Sequence, residues 1–169
     1  DAVLRRMGRR TTLSDYLKLV EDARAVCADM ALTTDLIAGF PGETAEDFAQ
    51  TLSVVESVGF SRLHVFPYSQ RAGTAATRLP DQLPKAVRKD RAQRLRELGR
   101  KLAAAYQARF LGSVLPVLWE QRAHEEDAWR GYADNYLAVS SRDPRVRYNV
   151  ITPTKIVARE GDVLIGEVV

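Results

Sequence analysis

The sequence predicts an α/β unit followed by a small all-β barrel, and three observations support this fold class. Helical periodicity alternates with short apolar runs up to about residue 110. From residue 111 onward, the helical period gives way to short β-rich runs punctuated by turn residues. A chain of 169 residues that is 46% hydrophobic is long enough for one large domain or two small ones. We therefore predict domains at 1–110 and 111–169.

The first part has the order of a strand–helix–strand unit. Thr12 and Asp15 resemble a capping box at the start of an amphipathic helix that ends near residue 28. Strands are predicted at 31–40 and 62–67, with a capped helix between them. Because this order makes the two strands parallel, helices must cover the outside of a sheet or barrel, and ligands gather at the carboxyl ends of the strands.

A polar segment and a long helix complete the first part. Residues 68–84 are polar and rich in turn formers, which is typical of a functional loop or a surface wrap. Residues 85–110 are predicted to form one long amphipathic helix with several basic side chains. Those basic residues could meet RNA phosphates, although a charge run without interleaved aromatics more often forms a solvated helix face.

The second part is predicted to contain four or five short strands. About 59 residues of this kind suggest a closed barrel, because closure removes exposed strand edges. The predicted strands are 114–120, 136–139, 150–157 and 163–169, with turns at Gly131, Asp143-Pro144 and Gly161-Asp162.

Cysteine content and hydropathy exclude several classes of protein. The single cysteine, Cys27, rules out an intrachain disulfide framework and any multi-cysteine metal site built from this chain alone. Its position on the apolar side of a helix predicts a buried thiol. No apolar run approaches the length of a membrane span, and a reducing, cytoplasmic setting fits best. The chain opens without Met in what reads as the middle of a structural unit, so we expect a fragment of a longer protein.

Side-chain alternation along the first predicted strand gives the first candidate site residue. Asp35 shares a face with Ile37, whereas Leu36 and Ala38 lie on the more apolar face. If the apolar face meets the covering helices, Asp35 lies in a barrel lumen. It would then face a ligand cavity, or it could simply bond a neighbouring loop.

The carboxyl ends of both predicted strands carry further candidates. The turn at 39–44 leads into a helix, whose free N–H groups and dipole favour carboxylates or phosphates. On the next strand, His64, Phe66 and Tyr68 are predicted to share one face, as a wall for an adenine ring or as plain core. Arg71 overhangs the same end and could reach an anion, or it is a surface arginine.

Taken together, several segments resemble the radical S-adenosylmethionine methylthiotransferases, with the greatest similarity to the branch that acts on threonylcarbamoyladenosine in tRNA. The resemblance covers nearly the whole chain, in the right order. It rests on the segments VLRRMGRR, TTDLIAGFPGETAEDF, LHVFPYSQRAGTAA, RLRELGRKL and GYADNYLAV.

The resemblance implies the second half of a partial TIM-type radical S-adenosylmethionine barrel followed by an OB-like TRAM domain. It implies two [4Fe-4S] clusters whose ligands lie outside this chain, S-adenosylmethionine as cofactor, and tRNA together with the missing N-terminal half as partners. The implied reaction methylthiolates C2 of N6-threonylcarbamoyladenosine at position 37. Without cluster cysteines, the present chain should not catalyse alone.

The resemblance and the strand positions together give three groups of candidate residues. Those expected to contact S-adenosylmethionine are Ile37, Gly39, Phe40, Val65 and Phe66. Those expected on the substrate side are Arg5, Arg9, Asp35, Arg71 and Thr74. Those expected to bind RNA are Lys85, Arg88, Lys89, Tyr132, Asn135 and Tyr136, where packing is an equally good interpretation of either tyrosine.

Two alternatives stay open from the sequence. The longer protein could be a radical S-adenosylmethionine methylthiotransferase that modifies another tRNA adenosine or a ribosomal protein. Alternatively, the chain could be an RNA-binding module only.

Overall fold

The computed structural model describes residues 1–123 and 127–169. Their packing divides the chain into two compact units, Asp1–Leu102 and Ala103–Val169. The mixed α/β class and the closed barrel near the C-terminus confirm the predicted fold class. The domain assignment itself stays a prediction.

The first unit is a two-stranded parallel sheet with helices on one face. Strands β1 and β2 pair from Thr33 opposite Arg62 to Ala38 opposite Pro67. The elements are α1 (Ala2–Arg6), α2 (Leu13–Val26), β1 (Thr33–Ala38), α3 (Ala45–Val58), β2 (Arg62–Pro67), a 3₁₀ turn (Ala75–Arg78) and α4 (Lys85–Ala108).

Local signals place the helix ends where the sequence predicts them. Thr12 and Asp15 form the reciprocal capping box of α2, and Thr44 and Asp47 form that of α3, so two orphan backbone donors are satisfied in each case. Gly59 ends α3 in the left-handed conformation, at a φ of 61°. Each helix start thus binds its own carboxylate.

The core of the first unit lies between the apolar face of the sheet and the helices. Ala38 and Val65 point from the strands toward Phe48 and Val55 of α3 and Leu95 of α4, all of them buried. One prediction is wrong here: Cys27 is exposed, because α2 has ended at Val26 and the chain is already extended at Cys27.

The second unit contains a closed five-stranded barrel of strand order β3-β4-β5-β7-β6. Trp119 fills its centre with no exposed surface, and its indole N–H donates to Thr152 Oγ1 at 2.7 Å. The strands are β3 (Val114–Ala123), β4 (Ala128–Ala133), β5 (Ala138–Ser141), β6 (Ile151–Glu160) and β7 (Val163–Val168).

The prediction from sequence is wrong at strand β4. Gly131 is predicted as a turn but lies inside β4, opposite Trp119 on β3 and Val139 on β5. A Cβ at this position would lie 2.2 Å from the Leu118 carbonyl oxygen. Gly131 is therefore required for the close approach of two strands, not for a turn. The predicted turn at Gly161-Asp162 is confirmed between β6 and β7.

Across residues 1–123 and 127–169, the structure contains no helix with the length and apolar character needed to cross a membrane.

Candidate functional site at the carboxyl ends of the parallel strands

One face of the parallel sheet is open. Asp35 and Ile37 of β1 are exposed on it, directly beside His64 and Phe66 of β2. Ile37 is 46% exposed and Phe66 is 54% exposed, which is unusual for neighbouring large apolar side chains on a strand pair. The expectation that Leu36 and Ala38 face the helices and Asp35 faces away from them is confirmed. The open face offers an apolar wall beside a carboxylate.

The structure separates the five residues expected near S-adenosylmethionine. Ile37 and Phe66 lie on the open face, whereas Val65 and Phe40 are buried. Phe40 packs edge-to-face against the ring of Tyr68, with centroids 5.4 Å apart. Tyr68 is only 8% exposed, so the expectation that it shares the face of Phe66 is wrong, because the chain leaves the strand at Pro67.

Gly39, the fifth of these residues, begins a turn in which the side chain of Glu43 bonds back to the main chain. Its N–H donates to the Glu43 carboxylate, and the N–H of Glu43 donates to the Phe40 carbonyl at 3.0 Å. The N–H of Gly42 donates to the carbonyl of Asp81 at 2.9 Å. These three donors are therefore already satisfied and are not available to an anionic ligand; an anion at the start of α3 stays a prediction.

Glu43 is the residue that sequence reasoning missed. Its carboxylate is buried and is paired with Arg91 of α4, whose guanidinium lies 3.4 Å from the carboxylate. The same guanidinium donates to the Glu43 carbonyl at 2.9 Å and lies over the Phe48 ring. Burial raises the pKa of Glu43, while Arg91 and the Gly39 amide oppose that rise. The turn after β1 thus carries its own anion and its own counter-cation.

Two more arginines of α4 donate to main-chain carbonyls in or just after β2. Arg88 donates to the Tyr68 carbonyl at 2.6 Å and lies over the Tyr68 ring, and Arg96 donates to the Val65 carbonyl at 3.0 Å. A sequence signal for this existed, because Arg88 and Arg91 lie seven and four residues before the buried Leu95 and so share its helix face. Three arginines of the basic run, Arg88, Arg91 and Arg96, therefore form hydrogen bonds within the first unit.

The candidate RNA-binding residues of α4 thus differ in their surroundings. Lys85 and Lys89 are exposed, whereas Arg88 is half-buried with an internal partner. An RNA contact by any of them stays a prediction.

The residues expected on the substrate side are only partly brought together. Arg9, Asp35 and Ile37 line one groove of about 730 Å³ that runs between the N-terminal helices, β1 and α3. Arg5 is exposed but does not line it, and neither do Arg71 and Thr74, where the Thr74 hydroxyl donates to the Arg71 carbonyl at 2.8 Å.

The described residues suit the nucleoside of S-adenosylmethionine but not an iron–sulfur cluster. The exposed Ile37 and Phe66 side chains suit the flat apolar ring of a nucleoside. Within residues 1–123 and 127–169, no group of three or more His, Cys, Asp or Glu side chains could hold a metal ion. The side chains of these described residues therefore do not fit an iron–sulfur cluster.

The barrel presents a separate aromatic surface. Tyr132 is 47% exposed and Tyr136 is 85% exposed; both line a shallow cavity of about 720 Å³ together with Leu118 and Ile151. Asn135 lies between the two tyrosines, but its side chain accepts the Leu137 N–H at 3.3 Å and so stabilises the turn itself. The two tyrosines are the exposed aromatics of this surface.

No protein-family model matches the chain. It is 36% identical to the threonylcarbamoyladenosine tRNA methylthiotransferase MtaB of Bacillus subtilis over 92% of this chain and 35% of that protein. It is 42% identical to MtaB of Thermotoga maritima over 71% of this chain and 28% of that protein.

A second kind of relative is equally similar. The tRNA-2-methylthio-N(6)-dimethylallyladenosine synthase of a Thermoanaerobacter species is 44% identical over 70% of this chain and 25% of that protein. The chain thus spans about a quarter to a third of the curated relatives that it matches. It is a homologue of one part of the tRNA methylthiotransferases, and the similarity does not separate the threonylcarbamoyladenosine kind from the dimethylallyladenosine kind.

Proposed function

We propose that the chain is the C-terminal part of a radical S-adenosylmethionine tRNA methylthiotransferase, one that acts in the cytoplasm. The single observation that carries this proposal is the similarity to MtaB of B. subtilis over 92% of the chain, through both the parallel sheet and the barrel. Further support comes from the open sheet face, where Ile37 and Phe66 lie side by side at the strand ends.

As the more specific reaction, we propose methylthiolation of C2 of N6-threonylcarbamoyladenosine at position 37 of tRNA. The alternative substrate is N6-dimethylallyladenosine, which the 44% identity to the second kind of relative supports to a similar degree. The two substrates differ in charge: the threonylcarbamoyl group carries a carboxylate that an arginine can bind, and the dimethylallyl group does not. Arg9, which lines the groove beside Asp35, is a candidate for that contact.

In this proposal each part of the chain holds one component of the reaction. S-adenosylmethionine and a reduced [4Fe-4S] cluster, when bound, would supply radical chemistry, and the cluster ligands would come from the missing N-terminal half. Ile37 and Phe66 pack against the adenine ring, with Gly39 behind them in the turn. Arg5, Arg71 and Thr74 are the remaining substrate-side candidates from this chain.

Analysis of tRNA nucleosides tests the proposed substrate. The intact protein is expressed in a bacterial host that lacks its own tRNA methylthiotransferases, and the digested tRNA is examined by mass spectrometry. Accumulation of 2-methylthio-N6-threonylcarbamoyladenosine is the expected result. Accumulation of 2-methylthio-N6-dimethylallyladenosine instead would transfer the assignment to the second kind, and the absence of both would contradict the proposal.

For the barrel, we propose that Tyr132 and Tyr136 stack on unpaired bases of tRNA, while Lys85 and Lys89 contact phosphates. Base–aromatic stacking contributes about 1–3 kcal/mol per base. Replacing either tyrosine by Ala should therefore weaken tRNA binding by about 5- to 150-fold in a fluorescence titration. Tyr148→Ala is the matched control, since Tyr148 is 69% exposed but does not line the aromatic cavity. Equal losses in all three variants would contradict the stacking role.

A further inference from the structure

The buried Glu43–Arg91 pair needs an explanation beyond stability. Removing two charges from water costs free energy that their mutual attraction often does not recover. The side chains of Arg91 and Glu43 are nevertheless only 10% and 6% exposed. An apolar pair of similar volume would pack in this position without that cost. The pair therefore points to a requirement for a defined local geometry.

The contacts of the pair fix main chain as well as side chain. The Glu43 carboxylate accepts the Gly39 N–H, four residues earlier, and so closes the turn from inside. Arg91 reaches both the Glu43 carboxylate and the Glu43 carbonyl, so it ties the closed turn to α4. Together the two side chains determine how the chain leaves β1.

The close approach of α4 leaves the turn little freedom to adopt another path. Gly39 has a φ of 75°, and a Cβ on it would lie 2.5 Å from Cγ of Arg88. Ile37, whose side chain stands on the open face, lies only two positions before Gly39. A shift of the turn would therefore move the apolar wall formed by Ile37 and Phe66.

We infer that Glu43 and Arg91 are a positioning pair: they hold the Gly39–Glu43 turn against α4 and thereby fix how Ile37 is presented to a nucleoside ligand. The ligand part of this inference rests on the proposed function, in which that nucleoside belongs to S-adenosylmethionine. Glu43 also lines the groove that contains Arg9 and Asp35, and the role inferred for the pair is to hold the turn, not to contact the ligand.

Amide hydrogen exchange in the intact protein tests the positioning without any ligand. Glu43→Gln and Arg91→Met should each accelerate exchange in a peptide covering residues 37–43. The first weakens the charge-assisted hydrogen bond to the Gly39 N–H, and the second removes the hydrogen bond from α4 to the Glu43 carbonyl. Arg24→Met is the matched control. Arg24 also donates from a half-buried guanidinium to main-chain carbonyls, those of Val58 and Gly59, but it does so at the opposite end of α3.

The expected result is faster exchange at 37–43 in the two site variants and unchanged exchange there in Arg24→Met. Unchanged exchange in the site variants would overturn the inference. An equal rise in Arg24→Met would also overturn it, since the effect would then be a general loss of stability.

A second measurement tests the link to the ligand. Equilibrium dialysis with labelled S-adenosylmethionine should show affinity about tenfold weaker for Arg91→Met, with partial recovery in Arg91→Lys, since a charged hydrogen bond contributes about 1.5–3 kcal/mol. Wild-type affinity in Arg91→Met would overturn the presentation of Ile37. If the wild-type protein binds no S-adenosylmethionine while exchange at 37–43 still rises in the variants, the proposed cofactor is wrong and the positioning pair stands.

Discussion

The two units differ in how completely the backbone hydrogen-bonding groups of their strands are paired. In the barrel, every strand has two neighbours, and the ladder closes on itself. In the first unit, β1 pairs only with β2, and the sheet leaves one face and the outer edges of both strands open within the described residues. A two-stranded sheet is marginal by itself, whereas a closed barrel has no edges. Within the described residues, the hydrogen-bonding ladder of the barrel is therefore complete and that of the sheet is not.

Separate expression of the two units tests this difference in backbone pairing most directly. Residues 103–169 should fold alone and melt cooperatively, because the barrel already satisfies its ladder. Residues 1–102 should aggregate or lack a cooperative transition, because the open edges and the exposed Ile37 and Phe66 stay uncovered. Circular dichroism melts of both pieces measure this. A stable, monomeric 1–102 piece would show that the sheet does not need completion.

Gly131→Ala tests how tightly the barrel is closed. The new Cβ would meet the Leu118 carbonyl at 2.2 Å, and a backbone group inside a ladder cannot move aside easily. Overpacking of this kind should cost about 3 kcal/mol of unfolding free energy. Urea unfolding of residues 103–169 gives the value. Lys155→Ala, at an exposed position on β6, serves as control and should change stability little.

Gly39→Ala is the matching test in the first unit. Here the added Cβ would lie 2.5 Å from Cγ and 3.1 Å from Cα of Arg88, and the positive φ of 75° adds backbone strain. We expect a loss of about 2 kcal/mol in the intact protein, smaller than that for Gly131 because the nearest atom is a side-chain methylene and not a backbone carbonyl inside a ladder. Urea unfolding of the intact protein measures it. A cost greater than that of Gly131→Ala would mean that the turn is the more rigid of the two places.

Ionisation of Asp143 should make a small, pH-dependent contribution to the stability of the barrel. The Arg145 side chain, assisted by its N–H and by that of Val168, lowers the pKa of Asp143 to about 2. Because this pKa lies below the usual value of 3.8, the ionised group stabilises the barrel above about pH 4, and this contribution is lost as the pH falls toward 2. Asp143→Asn should therefore melt slightly below wild type at pH 7. The difference should vanish near pH 2, and a constant difference across this range would contradict the assignment.

Local patterns predicted most of the first unit. The capping residues Thr12 and Thr44 and the alternation in β1 are short-range signals, and the structure follows them. The charged pair at Glu43 could not be predicted in the same way, because it joins a turn to a helix 48 residues further along the chain. The spacing of Arg88 and Arg91 relative to Leu95 does carry that information, but a basic run is ordinarily interpreted as a solvated face.

In the barrel, the prediction from sequence was wrong at a residue whose identity is required by a neighbouring strand and not by its own backbone conformation. Gly131 has the composition of a turn, yet its role is set by the Leu118 carbonyl on another strand. Cys27 is the reverse case, since its apolar character predicted burial but the helix ended one residue too early. Both errors come from long-range or terminal geometry that periodicity does not encode.

The position of β7 between β5 and β6 has a consequence for biosynthesis. β7 pairs with β5 on one side and with β6 on the other, so the barrel cannot close without it. It is the last of the described elements, at Val163–Val168. A nascent chain can form the β3–β4 hairpin early, but it cannot complete the barrel until these residues have left the ribosome. A premature stop even a few codons before Val168 should therefore release a product that proteases remove.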